Sequence, residues 1–337
     1  MYKKLAKQFV IPEQRPFVSC HASHLALLPN DEVLTVWFGG SVEGADDVAI
    51  WGSIRSSSGH WSAPMLIANQ ADTPHWNPVL FRKADGELLL FYKIGRWIKS
   101  WSTLIKTSGD GRNWSQPQEL VQGERGGRGP VRNKMIVLSD GSWLAPVSTE
   151  DGIWKAFVDK STDEGKEWER SGEIVIADIP YTPQAPDVEI QVSEQSFAGR
   201  GVIQPTLWES KPGIVHMLLR SSEGKIYRSD SFDYGATWCD PYPTALPNNN
   251  SGIDLVKLWN DMLVLAYNPV ELNWGKRSPL VLRVSKDNGM TWDSEFVLED
   301  GEGEFSYPAI LADGNRIYVT YTWNRVNIVY WEIEIRA

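Results

Sequence analysis

The chain is poor in cysteine. Only Cys20 and Cys239 occur among its 337 residues, and no Cys-x-x-Cys pair offers the spacing of a metal site. The sequence therefore predicts two free, buried thiols and no bound metal ion. A phosphate-binding loop and a nucleotide-binding fingerprint are also absent from the sequence, which argues against a diffusible cofactor.

Long apolar runs and positive charge are scarce as well. No segment reaches the roughly 20 apolar residues of a membrane-spanning helix, and residues 1–14 lack the apolar core of a secretory signal. These absences predict no membrane partner and a cytoplasmic location. The formal charge of −10 and the pI near 5.1 argue against nucleic acid as a partner, although a local arginine cluster can still bind a small anion.

Tryptophan, by contrast, is abundant, with 17 residues. The phrase Ser-x-Asp-x-Gly-x-x-Trp stands at 161–168, 231–238 and 285–292, and weakened copies end at Trp61 and Trp114. Ser and Asp can bond the backbone amides of a tight turn, Gly allows a positive φ, and Trp anchors the turn between sheets. We interpret the phrase as a structural hairpin turn.

A period near 50 residues with strand-like sequence between the copies is typical of a β-propeller, with one blade per repeat. The sequence predicts an all-β fold, a six-bladed β-propeller that forms a single domain over residues 1–337. Residues 4–11 are expected to supply the fourth strand of the sixth blade and so close the ring. The insertion at about residues 179–200 is either a binding loop or a plain surface loop.

Polar residues mark the place where a propeller binds its ligand. The first strand of each blade lines the central axis, and six such strands begin with a polar residue where a buried strand would otherwise be apolar. The ends of the second strands add further polar side chains at the same mouth. The candidates are His21, Asn77, Lys134 beside Asn133, Gln204, Asp254 after Ser251, and Tyr307, followed by Glu43, Asp46, Asp47, Lys93, Glu150, Arg220, Asn268, Trp323 and Arg325.

Arg220 and Arg277 form the most informative pair. They precede intact repeats in neighbouring blades, and two guanidiniums converging on one cleft suit a carboxylate ligand. A structural ion pair is the alternative. The acidic loop 43–47 either holds a general acid or is a solvated turn. Tyr307 is either a nucleophile or a core phenol with a bonded hydroxyl.

The repeats, both arginines at their offsets, and Tyr307 near the end resemble the sialidase superfamily. The runs CHASHLALL, WFGGSVEGADDVAIW, NSGID and YPAI resemble its BNR-repeat branch, and the resemblance covers essentially the whole chain. It implies an exo-acting glycoside hydrolase that cleaves a terminal acidic sugar, sialic-acid-like or uronic, from a glycan. In this scheme Arg220 and Arg277 hold the carboxylate, Tyr307 is the nucleophile, and Asp47 or Asp46 is the acid/base.

Two positions depart from the resemblance. His21 stands where the first arginine is expected, and Gln204 stands where a glutamate should assist the tyrosine. Because an amide cannot take a proton, Glu43 or Glu150 would have to substitute. Three functions follow: the hydrolase, a uronate lyase or hydrolase with His21 as its base, and a non-catalytic glycan-binding propeller.

Overall fold

The computed structural model describes residues 2–150, 152–180 and 199–336, so most of the predicted insertion lies outside the described residues. Within these ranges the helical elements are two 3₁₀ turns, Pro29–Asp31 and Ile98–Ser100. The strands in chain order are β1 Tyr2–Phe9, β2 Ser19–Leu27, β3 Val33–Gly40, β4 Ala49–Arg55, β5 Met65–Ala68, β6 His75–Arg82, β7 Leu88–Ile94, β8 Ser102–Ser108, β9 Gln118–Glu119, β10 Ile136–Val137, β11 Trp143–Thr149, β12 Ile153–Ser161, β13 Glu169–Arg170, β14 Arg200–Lys211, β15 Ile214–Ser221, β16 Lys225–Ser231, β17 Tyr242–Pro247, β18 Asp254–Lys257, β19 Leu263–Tyr267, β20 Leu280–Ser285, β21 Asp293–Glu299, β22 Phe305–Asp313, β23 Arg316–Trp323 and β24 Asn327–Ile335.

These strands build antiparallel sheets in chain order. Four sheets have four strands each: β2–β5, β6–β9, β18–β21, and β22–β24 with β1. The eight strands β10–β17 form one sheet, because β12 and β14 pair in parallel at Ile153–Arg200 and Trp154–Gly201. The predicted all-β, propeller-like arrangement is confirmed, whereas the described topology has four separate four-stranded sheets rather than six.

The core lies between neighbouring sheets. One cluster joins apolar side chains of β18–β20 to those of β22–β24, and another joins β2–β4 to β6–β8. Strands β2, β6 and β14 are buried along most of their length. Polar side chains at the starts of such strands are therefore enclosed by protein rather than exposed at an edge.

The N-terminal strand belongs to the last sheet. β1 pairs antiparallel with β24, from Tyr2 opposite Ile335 to Phe9 opposite Val329. The sequence placed this strand at residues 4–11, and its observed bounds are two residues earlier. The first and last strands of the described chain thus lie side by side.

The three intact repeats have the same hydrogen bonds. In each, the Ser hydroxyl bonds the Asp carboxylate at 2.8 Å and accepts from the Gly N–H at 2.8–2.9 Å. The Trp indole N–H donates to the Gly carbonyl at 2.9–3.1 Å. Each turn begins at the last residue of a third strand, β12, β16 or β20, which agrees with a structural role.

Both cysteines are free, as the sequence predicts. Cys20 in β2 is buried, and burial raises the pKa of its thiol to about 12. The expected burial is wrong for Cys239, which is exposed because it directly follows the last residue of a repeat turn, Trp238, at the rim of its sheet.

Candidate active site

Four inner strands carry the same irregularity near their start. In β2, β6, β14 and β22 the pairing register shifts at a bulge. Each bulge holds one left-handed residue: Ala22 with φ 54°, Asn77 with 43°, Gln204 with 51° and Tyr307 with 55°. Such backbone is uncommon for residues other than glycine, and bulges re-aim side chains beside active sites. Asn77, Gln204 and Tyr307 are thereby turned out of the regular alternation of their strands.

Tyr307 is the centre of a positively charged cluster. The guanidinium carbons of Arg132, Arg220 and Arg277 lie 5.3, 5.5 and 5.5 Å from its ring centroid. The ring of His21 lies 4.2 Å away between centroids. Arg220 Nη1 donates a hydrogen bond to the Tyr307 hydroxyl at 2.7 Å. The structure therefore brings the two predicted arginines, His21 and Tyr307 together.

Arg220 is buried and bonds neutral groups. Its Nη1 also donates to Gln204 Oε1 at 3.1 Å, and its Nε donates to Asn250 Oδ1 at 3.1 Å. The Gln204 amide in turn donates to Glu150 Oε1 at 3.3 Å. Glu150 is thus linked to Tyr307 through one amide and one guanidinium, and no bond of Arg220 within the described ranges goes to a carboxylate.

Arg277 is paired with a carboxylate. Its Nη1 lies 2.6 Å from Glu304 Oε1, and Arg325 Nε lies 3.1 Å from the same carboxylate while also pairing with Glu43. Burial opposes ionisation of Glu304, but Arg277 and Arg325 together hold the pKa of its carboxyl below the usual range. Arg277 therefore borders Tyr307 and belongs to an ion-pair network, as the structural alternative expects, and its binding of a carboxylate ligand stays a prediction.

His21 is a neutral imidazole. Its Nδ1 lies 2.9 Å from the Thr322 hydroxyl. Burial, reinforced by four surrounding arginines, holds the pKa of His21 well below its ordinary value. The ring is therefore unprotonated at neutral pH, and it is a weaker base than a free imidazole. The arginines are Arg325, Arg277, Arg132 and Arg220.

The acidic loop contributes one side chain to the cluster. Glu43 reaches Arg325, as described above. Asp47 accepts hydrogen bonds from the Ser41 amide at 3.0 Å and from its hydroxyl at 2.8 Å, and Asp46 pairs with Arg96. The loop is thus an ordered turn with partly exposed carboxylates, and neither aspartate contacts Tyr307 or its arginines within the described ranges.

Four predicted binding residues are engaged elsewhere. Lys93 is fully buried and donates to the Thr103 hydroxyl at 2.7 Å and to the carbonyls of residues 128 and 129. Lys134 pairs with buried Asp254 at 2.8 Å. The Asn268 amide donates to two backbone carbonyls, those of Pro279 and Phe305. These side chains are enclosed by protein, so other protein groups must satisfy their polar atoms.

Two further candidates make no contact with Tyr307 in the described structure. Trp323 packs edge-on against Phe9 of β1, with ring centroids 5.2 Å apart. Asn77 is buried in its bulge, and its amide has no hydrogen-bond partner among the residues that the structure describes.

Sequence reasoning missed four residues at the site. Arg132 and Glu304 are charged, Asn250 bonds Arg220, and Gly252 lies against the Tyr307 ring, where an added Cβ would come within 3.3 Å of Cγ. Each stands one to three residues from a predicted position. The available signal was therefore proximity in sequence to a predicted strand start.

Within the described ranges, no group of three or more His, Cys, Asp or Glu side chains could hold a metal ion. The same part of the chain has no helix long and apolar enough to cross a membrane.

The fold and the tyrosine-centred cluster define a propeller-like all-β protein with a cationic site. The chain belongs to the BNR repeat-like domain family, whose sequence profile matches residues 31–319. This confirms the resemblance to sialidase-like BNR-repeat proteins. Among curated proteins no sequence matches.

Solved structures give the same fold. A protein of unknown function from Dyadobacter fermentans is 17% identical, with a TM-score of 0.76 and 99% of both chains covered. The NanB sialidase from Streptococcus pneumoniae is 13% identical, with a TM-score of 0.74, over 97% of this chain and 70% of that one. Trypanosoma rangeli sialidase is 14% identical, with a TM-score of 0.70, over 98% of this chain and 59% of that one. At these identities the likeness concerns the fold.

Proposed function

We propose that this protein is a sialidase-like, exo-acting glycoside hydrolase that removes a terminal acidic sugar, sialic-acid-like or uronic, from an oligosaccharide. The observation that carries the proposal is the set of three guanidiniums around Tyr307, one of them bonded to the phenol oxygen. Planar, forked arginines are the preferred partners of carboxylates. A local cluster of this kind can attract an anion to a protein whose net charge is −10.

Each side chain has a role in this reaction. Arg220 and Arg277 bind the sugar carboxylate, Tyr307 attacks the anomeric carbon, and Asp47 protonates the leaving oxygen and later activates water. Tyrosine suits the nucleophile's position because a carboxylate there would be repelled by the carboxylate of the substrate. The phenol proton passes to a substitute carboxylate base, Glu43 or Glu150, and the Arg220 N–H aimed at the phenol oxygen stabilises the negative charge that this oxygen then carries.

The same proposal includes the blade count. We count the eight-stranded sheet as two blades, β10–β13 and β14–β17, because only two residue pairs join β12 to β14. With the four separate sheets this gives six blades in a single domain, closed by β1.

A uronate lyase is the second candidate, and the neutral His21 ring against Tyr307 supports it. In that reaction the arginines neutralise the uronate carboxylate, and His21 takes the proton from C5. The electron pair of the C–H bond forms the C4–C5 double bond as the C4–O bond breaks, and the departing oxygen takes a proton from Tyr307. The products are an unsaturated uronate and a free hydroxyl.

One assay separates the candidates. Oligosaccharides ending in sialic or uronic acid are incubated with the protein, and reducing sugar is measured together with near-ultraviolet absorbance. A hydrolase releases reducing sugar without the chromophore that a lyase creates. Asp47→Ala and Tyr307→Phe should each abolish hydrolysis while ligand still raises the Tm. Full activity in Asp47→Ala contradicts the hydrolase, and stabilisation without any turnover identifies a glycan-binding protein.

A further inference from the structure

The side chain of Arg132 clamps the backbone of the Tyr307 bulge. Its Nη2 donates to the carbonyl of Tyr307 and, at 2.9 Å, to that of Pro308. The residue is 1% exposed, and its Nε and Nη1 have no partner within the described ranges. A buried cation without an ion pair is costly. The hydrogen bonds that Arg132 makes go to the backbone carbonyls of the left-handed residue Tyr307 and of the residue that follows it.

The next residue, Asn133, clamps a second bulge in the same way. Its Nδ2 donates to the carbonyls of Gln204 and Pro205, both at 3.0 Å. Asn133 is also 1% exposed. Two consecutive residues ahead of β10 therefore hold the bulges of two other strands, β14 and β22.

The other two bulges provide an internal contrast. In the described part of the chain, no side chain donates to the carbonyl of Ala22 or Asn77, although both residues have the same left-handed backbone. The clamps occur at the two bulges whose side chains share Arg220 Nη1: Gln204 at 3.1 Å and Tyr307 at 2.7 Å. The two bulges that a side chain holds are therefore the same two whose side chains bond Arg220.

We propose that Arg132 is a positioning residue that holds Tyr307 in its left-handed bulge and so keeps the phenol on Arg220, with Asn133 acting likewise on Gln204. A left-handed tyrosine is strained, and an unbraced strand would relax toward negative φ and move the hydroxyl. The consequence for turnover rests on the proposed function, whereas the consequence for backbone conformation does not. Burial lowers the pKa of Arg132 to about 10, with Asp254 and Tyr307 opposing the shift, so the guanidinium stays charged at neutral pH.

Three variants test whether Arg132 holds Tyr307 in its left-handed conformation, a role that we call the brace. Arg132→Met removes every donor, and Arg132→Lys keeps a charged donor that can reach a carbonyl. Arg228→Met is the control at another buried arginine: Arg228 is 5% exposed, donates to the Asn288 carbonyl at 2.8 Å and pairs with Asp230 at 2.9 Å, and among the described residues it has no contact with Tyr307. Kinetics on the best sugar-acid substrate and the Tm are measured for all.

In Arg132→Met we expect kcat to fall about 100-fold, the scale of a misplacement near 1 Å. KM should stay within about threefold because Arg220 and Arg277 still hold the carboxylate. Arg132→Lys should recover kcat to within about tenfold of the native enzyme. Arg228→Met should lower the Tm comparably and leave kcat unchanged. Equal kcat in Arg132→Met and Arg228→Met would overturn the proposal.

Crystal structures separate failure of the brace from failure of the proposed function. If the native protein turns over no sugar acid, the proposed function fails, and the brace is judged on Tyr307 alone. A negative φ at Tyr307 in Arg132→Met, with the hydroxyl off Arg220, supports the brace, and a retained positive φ overturns it. If Arg132→Met does not fold, Asn133→Leu replaces it, with the same criterion applied to Gln204.

Discussion

The two sides of Tyr307 differ in how their arginines are compensated. On one side, which we call the neutral side, Arg220 bonds Gln204, Asn250 and the phenol, none of which carries a negative charge in the resting state. On the other, the paired side, Arg277 shares Glu304 with Arg325, and Arg325 also pairs with Glu43. The two arginines lie equally far from the ring, at 5.5 Å.

This difference predicts which of the two arginines binds an incoming carboxylate more strongly. A buried guanidinium with neutral partners has already lost its water and lacks a counter-charge, so a substrate anion supplies what it is missing. A guanidinium that is already paired with a carboxylate has to divide its hydrogen bonds between that group and the substrate. If the proposed function holds, we therefore expect the main carboxylate contact at Arg220 on the neutral side and a supporting contact at Arg277.

The largest expected effect follows from removing Arg220. Arg220→Met should weaken binding of a sugar acid about 100-fold, since two charge-assisted bonds of about 1.5 kcal/mol each are lost. Arg277→Met, the matched control, should lose about tenfold because Glu304 already offsets its charge. Isothermal calorimetry measures both. An equal loss, or a larger one in Arg277→Met, would remove the distinction between the two sides.

A smaller effect is expected from making the neutral side resemble the paired side. Gln204→Glu places a carboxylate 3.1 Å from Arg220 and beside the tyrosine that needs a base. We expect kcat for hydrolysis to rise about tenfold, below the full range for a general base because Arg220 holds the new carboxylate. KM should rise severalfold because Arg220 is now compensated. An unchanged KM for Gln204→Glu in steady-state kinetics would contradict this expectation.

The smallest effect concerns Glu304 and pH. The depressed pKa of Glu304 means that its contribution to stability is fully present above its ordinary value of 4.5 and is lost as pH falls through the lower folded value. Glu304→Gln should therefore lower the free energy of unfolding at about pH 7, and the gap to the native protein should narrow toward about pH 3. Urea unfolding across this range measures it, and a gap independent of pH contradicts the assignment. The same variant should bind sugar acids slightly more tightly because Arg277 is released.

The repeat allowed much of the fold to be predicted, because its Ser, Asp, Gly and Trp encode a turn by local hydrogen bonds alone. The spacing of those turns then located the strands. The pairing of β12 with β14 could not be predicted from the repeat, because it depends on where two blades touch.

The site was predictable only in part. Arg220, Arg277 and Tyr307 follow from offsets to the repeats and from the family resemblance, and the structure places them together. Arg132 and Glu304 were missed because they lie in the segments just before β10 and β22, outside the strand starts that the polar pattern marked. The polarity of Lys93 predicts a place at the mouth of the site. The side chain is instead buried, and its ammonium group donates to one hydroxyl and two backbone carbonyls of the protein.

The pairing of β1 with β24 also affects the order of events during synthesis. Among the described strands, β1 is made before all others and its partner β24 after all others, which at about 5–20 residues per second separates them by a wait on the order of tens of seconds. Meanwhile the edge that β1 will cover cannot exist, and every earlier sheet must fold without the final closure of the ring. Contacts so distant in sequence form late. We expect pulse-labelled hydrogen exchange to protect the β1 amides last, which would make ring closure, rather than any single sheet, the step that commits the chain to its native state.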